Sequence, residues 1–149
     1  MKDSDADSWL RKLPEGGNDV GSKVKMVPLI LVQISDDPVG QVAVRIAQSV
    51  EAIMAAEGTV FHIISAIVIG TFDFGHAVQT ENDDRCEATA FAVHNILAAN
   101  GKIIYGRCGV IYGNFGSPTR MQYGPFIPRI GDLLHELRGL EFGAIHKLE

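Results

Sequence analysis

The sequence predicts an α+β protein of the ferredoxin-like class, a β-α-β-β-α-β sandwich with a C-terminal extension. Apolar runs of strand length alternate along the chain with two segments whose apolar residues recur at helical spacing. With 149 residues, the chain has the usual length of one domain with one hydrophobic core. We therefore predict a polar tail at residues 1–24 and one domain at residues 25–149.

The first strand and the first helix carry the clearest patterns. Val27–Ile34 is nearly all apolar, which is typical of a strand buried on both faces. Asp36 and Asp37 stand directly before a proline, a pattern that favours a capped helix start. Apolar residues then recur at helical spacing over Val39–Met54, and Gly58 is expected to end this helix.

The remaining elements follow in the order that the fold class requires. Two apolar strands joined near Ser65 and Ala66 predict a hairpin, although its junction lacks the Asn-Gly or Asp-Gly pair that usually marks one. A second helix, a further strand and a short C-terminal helix come next. The predicted ranges are Val60–Ile64 and Ile67–Phe72 for the hairpin, then Asn82–Asn100, Lys102–Tyr112 and Ile130–Leu140.

Charge and composition exclude several classes of partner. The net charge is −5 and no Lys/Arg run occurs, so nucleic acid is not a predicted partner. The longest apolar run, Thr59–Phe72, is too short to span a bilayer, and the N-terminus lacks the apolar core of a signal peptide. We therefore predict a cytoplasmic protein without membrane contact. Cys86 and Cys108 are expected to be buried thiols, and the sequence predicts no metal and no cofactor.

Four stretches of the chain match, in order, the motifs of one enzyme family. Glu57–Phe72, EGTVFHIISAIVIGTF, resembles GGxvxKxxGDxxxaxF, and Arg107–Tyr123, RCGVIYGNFGSPTRMQY, resembles RxGixxGxvGsxxRxxY. Ile130–Glu141, IGDLLHELRGLE, resembles IGDxVNxAxRLE, and the opening strand, VPLILVQISDD, matches the place of vtvlFaDIxGF. On these motifs the chain resembles the catalytic domains of class III adenylyl and guanylyl cyclases over roughly residues 26–141.

The resemblance implies a site without its metal ligands. In this family two aspartates hold two divalent ions, which assist attack of a ribose 3′-hydroxyl on the α-phosphate. The positions of those aspartates fall on Gln33 and Ala66 in this sequence. A neutral amide and a methyl group cannot replace two carboxylates, so we expect no cyclase chemistry here.

The resemblance also assigns the family's nucleotide-contacting positions. The purine-selecting pair falls on His62 and Gly124, and the asparagine–arginine pair that contacts the transition state falls on His135 and Gly139. Glycine lacks the permanent charge that an arginine offers to phosphate. His62 is either a ligand contact or a strand histidine packed against a neighbour, and both readings stay open.

Three acidic residues could replace the lost metal ligands or have a purely structural role, such as helix capping. Asp36 and Asp37 follow the first strand closely and are either ligand contacts or helix-capping residues. Asp73 follows the hairpin and could approach a site only with a shifted register. An enzyme with relocated metal ligands therefore remains an alternative function.

An aromatic, glycine-punctuated stretch is the candidate subunit interface, through Tyr112, Phe115, Tyr123 and Phe126, with a small satellite core as the alternative. Because cyclase-like domains place their sites between two subunits, the resemblance implies a homodimer. The predicted function is a catalytically inactive dimeric binding or regulatory module, with a nucleotide, another small molecule or a protein as its partner. A roadblock-type dimeric signalling scaffold is the other alternative.

Overall fold

A computed structural model describes residues 24–36, 40–73, 79–111 and 126–148 of the chain. Within these ranges the chain forms one sheet of five strands and three α-helices, which confirms the predicted α+β class and element order. In chain order the elements are β1 (Val24–Ile34), α1 (Val42–Ala55), β2 (Thr59–Ile64), β3 (Ile67–Thr71), α2 (Gln79–Leu97), β4 (Gly101–Ile111), α3 (Ile130–Gly139) and β5 (Ile145–Lys147).

The sheet has the strand order β2-β3-β1-β4-β5. Strand β3 pairs antiparallel with both β1 and β2, so the hairpin places its second strand beside β1. The first four strands therefore follow the ferredoxin-like arrangement that the element order predicted. The predicted C-terminal extension contributes β5, which pairs in parallel with β4 at the edge of the sheet.

Strand β1 lies at the centre of the packing, as its apolar sequence predicted. Every residue from Val27 to Val32 is buried, so both faces of the strand are covered. Alternate residues point to opposite faces, and Ile30, Val32 and Ile34 join the side chains of α1 and α2 in one core cluster. Burial of each such side chain contributes roughly 1.5–3 kcal/mol to stability.

Helix α1 begins later than predicted. Its first residue is Val42, and the preceding Gln41 makes no side-chain hydrogen bond to the helix. Gly40 has a φ of +98°, a left-handed conformation that a right-handed helix cannot include. The N-cap is therefore Gln41, where the sequence pattern favoured Asp36 or Asp37, and Asp37 lies outside the described residues.

The end of α1 also differs from the expectation. Glu57, rather than Gly58, adopts the left-handed conformation, with a φ of 63°. A methyl group on Gly58 would lie 2.7 Å from Cε2 of Phe72 and 2.8 Å from Cγ2 of Ile53. Glycine is therefore required here by close packing between the end of α1 and the sheet, and not by its backbone angle.

No helix among the described residues is long and apolar enough to cross a membrane. These residues belong to two compact units. The larger unit comprises residues 26–108 and 129–149 and holds the core cluster. The described residues of the smaller unit are 24–25, 109–111 and 126–128. In it, Ile111 and Phe126 form an antiparallel bridge with two N–H···O bonds of 2.8 Å. Of the predicted tail at residues 1–24, only Val24 is described, and it begins β1.

Candidate functional site

The two positions assigned to the lost metal ligands meet at one end of the sheet. Gln33 pairs with Ile67 near the carboxyl end of β1. Ser65 and Ala66 form the hairpin turn, and Ser65 has a left-handed φ of 55°. The amide of Ile34 donates a 2.8 Å hydrogen bond to the carbonyl of Ala66, so the two backbones are in direct contact.

The side chains at these two positions have different surroundings. Because Val32 and Ile34 belong to the core cluster, Gln33 lies on the opposite face of the sheet. Its Oε1 atom is buried and has no hydrogen-bond partner within the described ranges. Such an unsatisfied acceptor costs about 1–3 kcal/mol. The methyl group of Ala66 instead packs against the core cluster.

These residues do not fit a two-metal centre. Divalent Mg²⁺ and Mn²⁺ favour several hard oxygen ligands, usually with carboxylate charge. At these positions Gln33 offers one neutral amide oxygen and Ala66 offers none. Within the part of the chain that the structure describes, no group of three or more His, Cys, Asp or Glu side chains could hold a metal ion.

The acidic residues considered as substitutes lie at opposite ends of the sheet. Asp36 is exposed and follows β1 just beyond Gln33. Asp73 follows β3 near the start of β1, where the amide of Phe72 donates to the carbonyl of Pro28. The paired register alone runs from Leu29, opposite Thr71, to Gln33, opposite Ile67, which spans roughly 13 Å, and Asp36 and Asp73 each lie beyond one end of it. Since two catalytic ions lie about 3.5–4 Å apart, Asp36 and Asp73 cannot share one such centre.

His62 lies on the outer strand of the sheet. It pairs with Ile69 in the hairpin, next to a register irregularity between Val60 and His62. Its side chain is exposed, so the imidazole is accessible from solvent. The hairpin thus places His62 about two residues before the turn, on the same strand that leads to Ala66.

His135 and Gly139 lie on the exposed surface of α3. A methyl group on Gly139 would meet nothing within 4 Å. The C-terminus of this helix is anchored by Lys102, whose Nζ donates to the carbonyls of Arg138 at 3.0 Å and Leu140 at 2.8 Å. Lys102 therefore ties the end of α3, which includes Gly139, to the first residues of β4.

The first residues of β4 lie beside the end of β1. Asn100, which directly precedes β4, accepts a 2.8 Å hydrogen bond from the amide of Ser35, which directly follows β1. The structure thus brings Gln33, Ala66 and the end of α3 to the same end of the sheet. Three of the sequence-assigned positions, Gln33, Ala66 and Gly139, therefore lie at this end of the sheet, and His135 lies one helical turn from Gly139.

Lys102 is a residue that the sequence reasoning missed. Its side chain is only 5% exposed, and its Nζ also lies 4.7 Å from the ring centroid of Phe142. Burial lowers the pKa of Lys102, while the helix carbonyls and the aromatic face supply partners for its charge. A lysine at the second position of a strand whose next residues are the apolar Ile103 and Ile104 was the available signal.

The sequence matches no protein-family model and no curated protein. Solved structures do match. Adenylyl cyclase CyaB from P. aeruginosa has a TM-score of 0.62 and 15% identity, over 85% of this chain and 78% of that chain. The non-canonical dimeric guanylyl cyclase domain of the RhoGC fusion protein from Blastocladiella emersonii has a TM-score of 0.64 and 11% identity, over 85% and 81%. The guanylate cyclase domain of RhGC from Catenaria anguillulae, in complex with GTP, gives 0.64 and 12%, over 85% and 80%.

The fold is that of a nucleotide cyclase catalytic domain. At these identities the likeness concerns the cyclase fold alone, and it agrees with the fold that the sequence motifs implied. The backbone contact between the ends of β1 and the hairpin, at Gln33 and Ala66, is thus found within a chain whose architecture matches that of the cyclases.

Several predicted positions of the cyclase fold fall outside the described residues. These are Gly124, the second purine-selecting position, and the interface candidates Tyr112, Phe115 and Tyr123. The fourth interface candidate, Phe126, is described and is 38% exposed while its backbone pairs with Ile111. The aromatic interface therefore stays a prediction, to which Phe126 contributes an accessible apolar side chain.

Proposed function

We propose that residues 25–149 form a catalytically inactive cyclase-like domain that acts as a dimeric binding or regulatory module in the cytoplasm. One observation carries the proposal: Gln33 and Ala66 stand together at the end of β1 and the hairpin turn, where the family resemblance assigns two carboxylates. Without them, nothing at these two positions can hold the ions that neutralise the charge developing on a triphosphate.

Exposed apolar side chains support the dimeric part of the proposal. Strand β2 forms one edge of the sheet and exposes Ile63 and Ile64. Phe126 adds a third exposed apolar side chain in the smaller unit. Large exposed apolar groups are commonly covered by a partner, and one similar structure, the RhoGC domain, is described as dimeric.

The unsatisfied acceptor of Gln33 supports retained binding of a small ligand. The amide carries donor and acceptor atoms, and its buried Oε1 has no partner among the described residues. A ligand hydroxyl or amine that reaches this end of the sheet would supply the missing hydrogen bond. Such a ligand, a nucleotide included, would bind without carboxylate-held metal ions, and the exposed His62 and Asp36 are its candidate contacts.

A turnover assay tests the loss of catalysis. The full chain is incubated with ATP or GTP and with Mg²⁺ or Mn²⁺, and cyclic product is measured by mass spectrometry, with an active cyclase as the positive control. No product is expected. Metal-dependent product would overturn the proposal, and its loss in Asp36→Asn would then indicate a relocated metal ligand.

Sedimentation and thermal unfolding test the dimer and the ligand. A dimer is expected in sedimentation, and a monomer at all concentrations would contradict the module as proposed. A nucleotide that binds near Gln33 should raise the melting temperature with or without Mn²⁺, by an amount equivalent to about 2.7 kcal/mol at a hundredfold excess over its Kd. The absence of a shift with every nucleotide would remove the nucleotide-binding form and favour a scaffold for a protein partner.

Two features of the structure count against the alternative functions. The hairpin with Ser65 and Ala66 at its turn, and the strand order β2-β3-β1-β4-β5, disfavour a roadblock-type scaffold. The placement of Asp36 and Asp73 at opposite ends of the sheet disfavours an enzyme that combines them in one relocated metal centre.

A further inference from the structure

A second concave site lies at the other end of β1, within the larger unit. It is a cleft of about 450 Å³ between the start of β1, the first turns of α2, β4 and the C-terminal strand. Its walls include the apolar side chains of Met26, Pro28 and Leu148. Pro28 and Gln33 are five residues apart on an extended strand, or roughly 16 Å, so this cleft is distinct from the site discussed above.

The charges around the cleft leave a surplus of carboxylate. Asp83 is engaged by Arg107, whose Nε lies 3.0 Å from Oδ1 and 3.1 Å from Oδ2. Asp84 and Glu87 also line the cleft, and neither carboxylate has an ion pair or hydrogen bond within the described ranges. Lys147 supplies one positive charge against these two. The cleft therefore has a net negative lining that favours a cationic ligand.

Tyr105 supplies a hydrogen-bonding group to the wall of the cleft. The residue lines the cleft, is 6% exposed and makes no side-chain hydrogen bond within the described part of the chain. The ring is thus buried while the hydroxyl is open to the cleft, where it can accept a hydrogen bond from a ligand in place of water. Burial raises the pKa of Tyr105, with the Glu87 carboxylate adding to the effect, so the hydroxyl stays protonated near neutral pH.

Cys86 contributes to the wall without adding reactivity. Its Sγ atom donates a 3.4 Å hydrogen bond to the carbonyl of Leu29. Burial raises the pKa of Cys86 to about 12, so the side chain is a neutral thiol at physiological pH. A neutral thiol is a weak nucleophile, and the cleft is accordingly suited to reversible binding.

We propose that this cleft binds a small organic cation with one protonated amine and an apolar body. The amine lies between the carboxylates of Glu87 and Asp84, and the Tyr105 hydroxyl takes a hydrogen bond from it. The apolar body packs against Met26, Pro28 and Leu148. The volume of the cleft lies within the roughly 300–1,000 Å³ range of small-molecule sites.

Matched probes of one shape and different charge test the ligand class. Phenethylamine, phenethyl alcohol and 3-phenylpropionate are titrated into the full chain by calorimetry at neutral pH. The amine should bind at least about tenfold more tightly than the alcohol, because a charged hydrogen bond contributes roughly 1.5–3 kcal/mol. Absence of amine binding at millimolar concentration, or equal or tighter binding of the alcohol or the carboxylate, would overturn the proposal.

Variants with the same charge change locate the binding site. Glu87→Gln should weaken phenethylamine binding about tenfold or more, and Tyr105→Phe about fivefold. Glu51→Gln is the control, because Glu51 is an exposed residue of α1 that does not line the cleft. Circular dichroism checks that each variant is folded. Equal weakening in Glu87→Gln and Glu51→Gln would refute the site, since the effect would then reflect net charge alone.

Discussion

Individual residues fix the close contacts on which the core depends, and Gly58 is the clearest case. It follows Glu57 at the end of α1, where the chain turns back toward β2. Phe72 and Ile53, which belong to the core cluster, lie too close to its Cα for any side chain to fit without movement. The lack of space at this turn results from the packing of Phe72 and Ile53 against Gly58, and not from the backbone angle of the glycine.

Gly58→Ala should lower the free energy of unfolding by about 1–3 kcal/mol, because an added methyl group overpacks the core. Gly131→Ala is the matched control. A methyl group there would meet nothing within 4 Å, and alanine should stabilise α3 by roughly 0.5–1 kcal/mol. Chemical denaturation of both variants measures the two effects. Equal stability of the two variants would contradict the packing explanation.

The buried thiol of Cys86 makes stability depend on alkaline pH. Its pKa is about 12 in the folded chain and 9.0 when unperturbed, so only the unfolded chain releases this proton between those values. The folded state then binds more protons, and stability must fall as pH rises above 9.0. We expect Cys86→Ala to reduce this fall relative to the wild type. Urea denaturation from pH 8 to pH 11 tests it, and parallel curves would refute it.

At the scale of elements, strong local patterns predicted well and context-dependent ones did not. The uninterrupted apolar run of β1 predicted burial on both faces because a single strand carries that signal itself. Helix α1 started late because a left-handed Gly40 precedes it, which a capping pattern around Asp36 does not reveal. Strand β5 has three residues, and its parallel pairing with β4 depends on tertiary contact.

Some parts of the candidate site could be predicted from the sequence and others could not. Ala66 lies in a hairpin whose motif aligned without a gap, and Gln33 lies in the opening strand, which matched the place of its motif. The structure brings their backbones together. The sequence shows a lysine early in β4 but not its role, because its partners are backbone carbonyls at the end of α3 and every residue has such a carbonyl. Likewise, the cleft around Tyr105 is assembled from β1, α2, β4 and β5, which lie far apart along the chain.

The junction of β4 and β5 depends on Gly106. This residue has a φ of +145°, and a methyl group on it would lie 2.7 Å from Cβ of Leu148. We expect Gly106→Ala to separate β5 from β4, at a cost of roughly 1–3 kcal/mol in backbone strain and packing.

Hydrogen exchange reports this separation directly, because the amide of Leu148 donates a 2.7 Å bond to the carbonyl of Tyr105. That amide should exchange faster in Gly106→Ala. Gly139→Ala is the control, since a methyl group there meets nothing within 4 Å. Unchanged exchange at Leu148 would show that the two strands tolerate a side chain at their contact.

At the scale of the whole molecule, the two ends of the central strand β1 border two different candidate sites. The carboxyl end of β1 carries Gln33 beside the hairpin turn, and the start of β1 borders the acidic cleft. The proposed site at Gln33 and the proposed cation site are therefore two separate surfaces of the same sheet. Dimerisation, as proposed, concerns other exposed side chains, those of Ile63 and Ile64 on the edge strand β2 and that of Phe126.

Ile63→Lys should shift the proposed dimer toward monomer, because a charge on the sheet edge opposes association between copies. Met54→Lys is the control, since Met54 is 62% exposed on α1 and Ile63 is 48% exposed on β2. Analytical ultracentrifugation should show dissociation in Ile63→Lys only. Identical behaviour of the two variants would place the subunit contact elsewhere on the molecule.

The lysine that anchors α3 also makes that helix observable in solution. Lys102 is inaccessible while its ammonium group donates to the carbonyls of Arg138 and Leu140. An amine-acylating reagent can therefore reach this nitrogen only in molecules where the end of α3 has moved off the sheet. Peptide mass spectrometry can follow the acylation rate of Lys102 and compare it with that of the exposed Lys147. The rate at Lys102 then reports how often the end of α3 opens. Any ligand that holds α3 in place will lower the acylation rate of Lys102, whichever end of β1 it occupies.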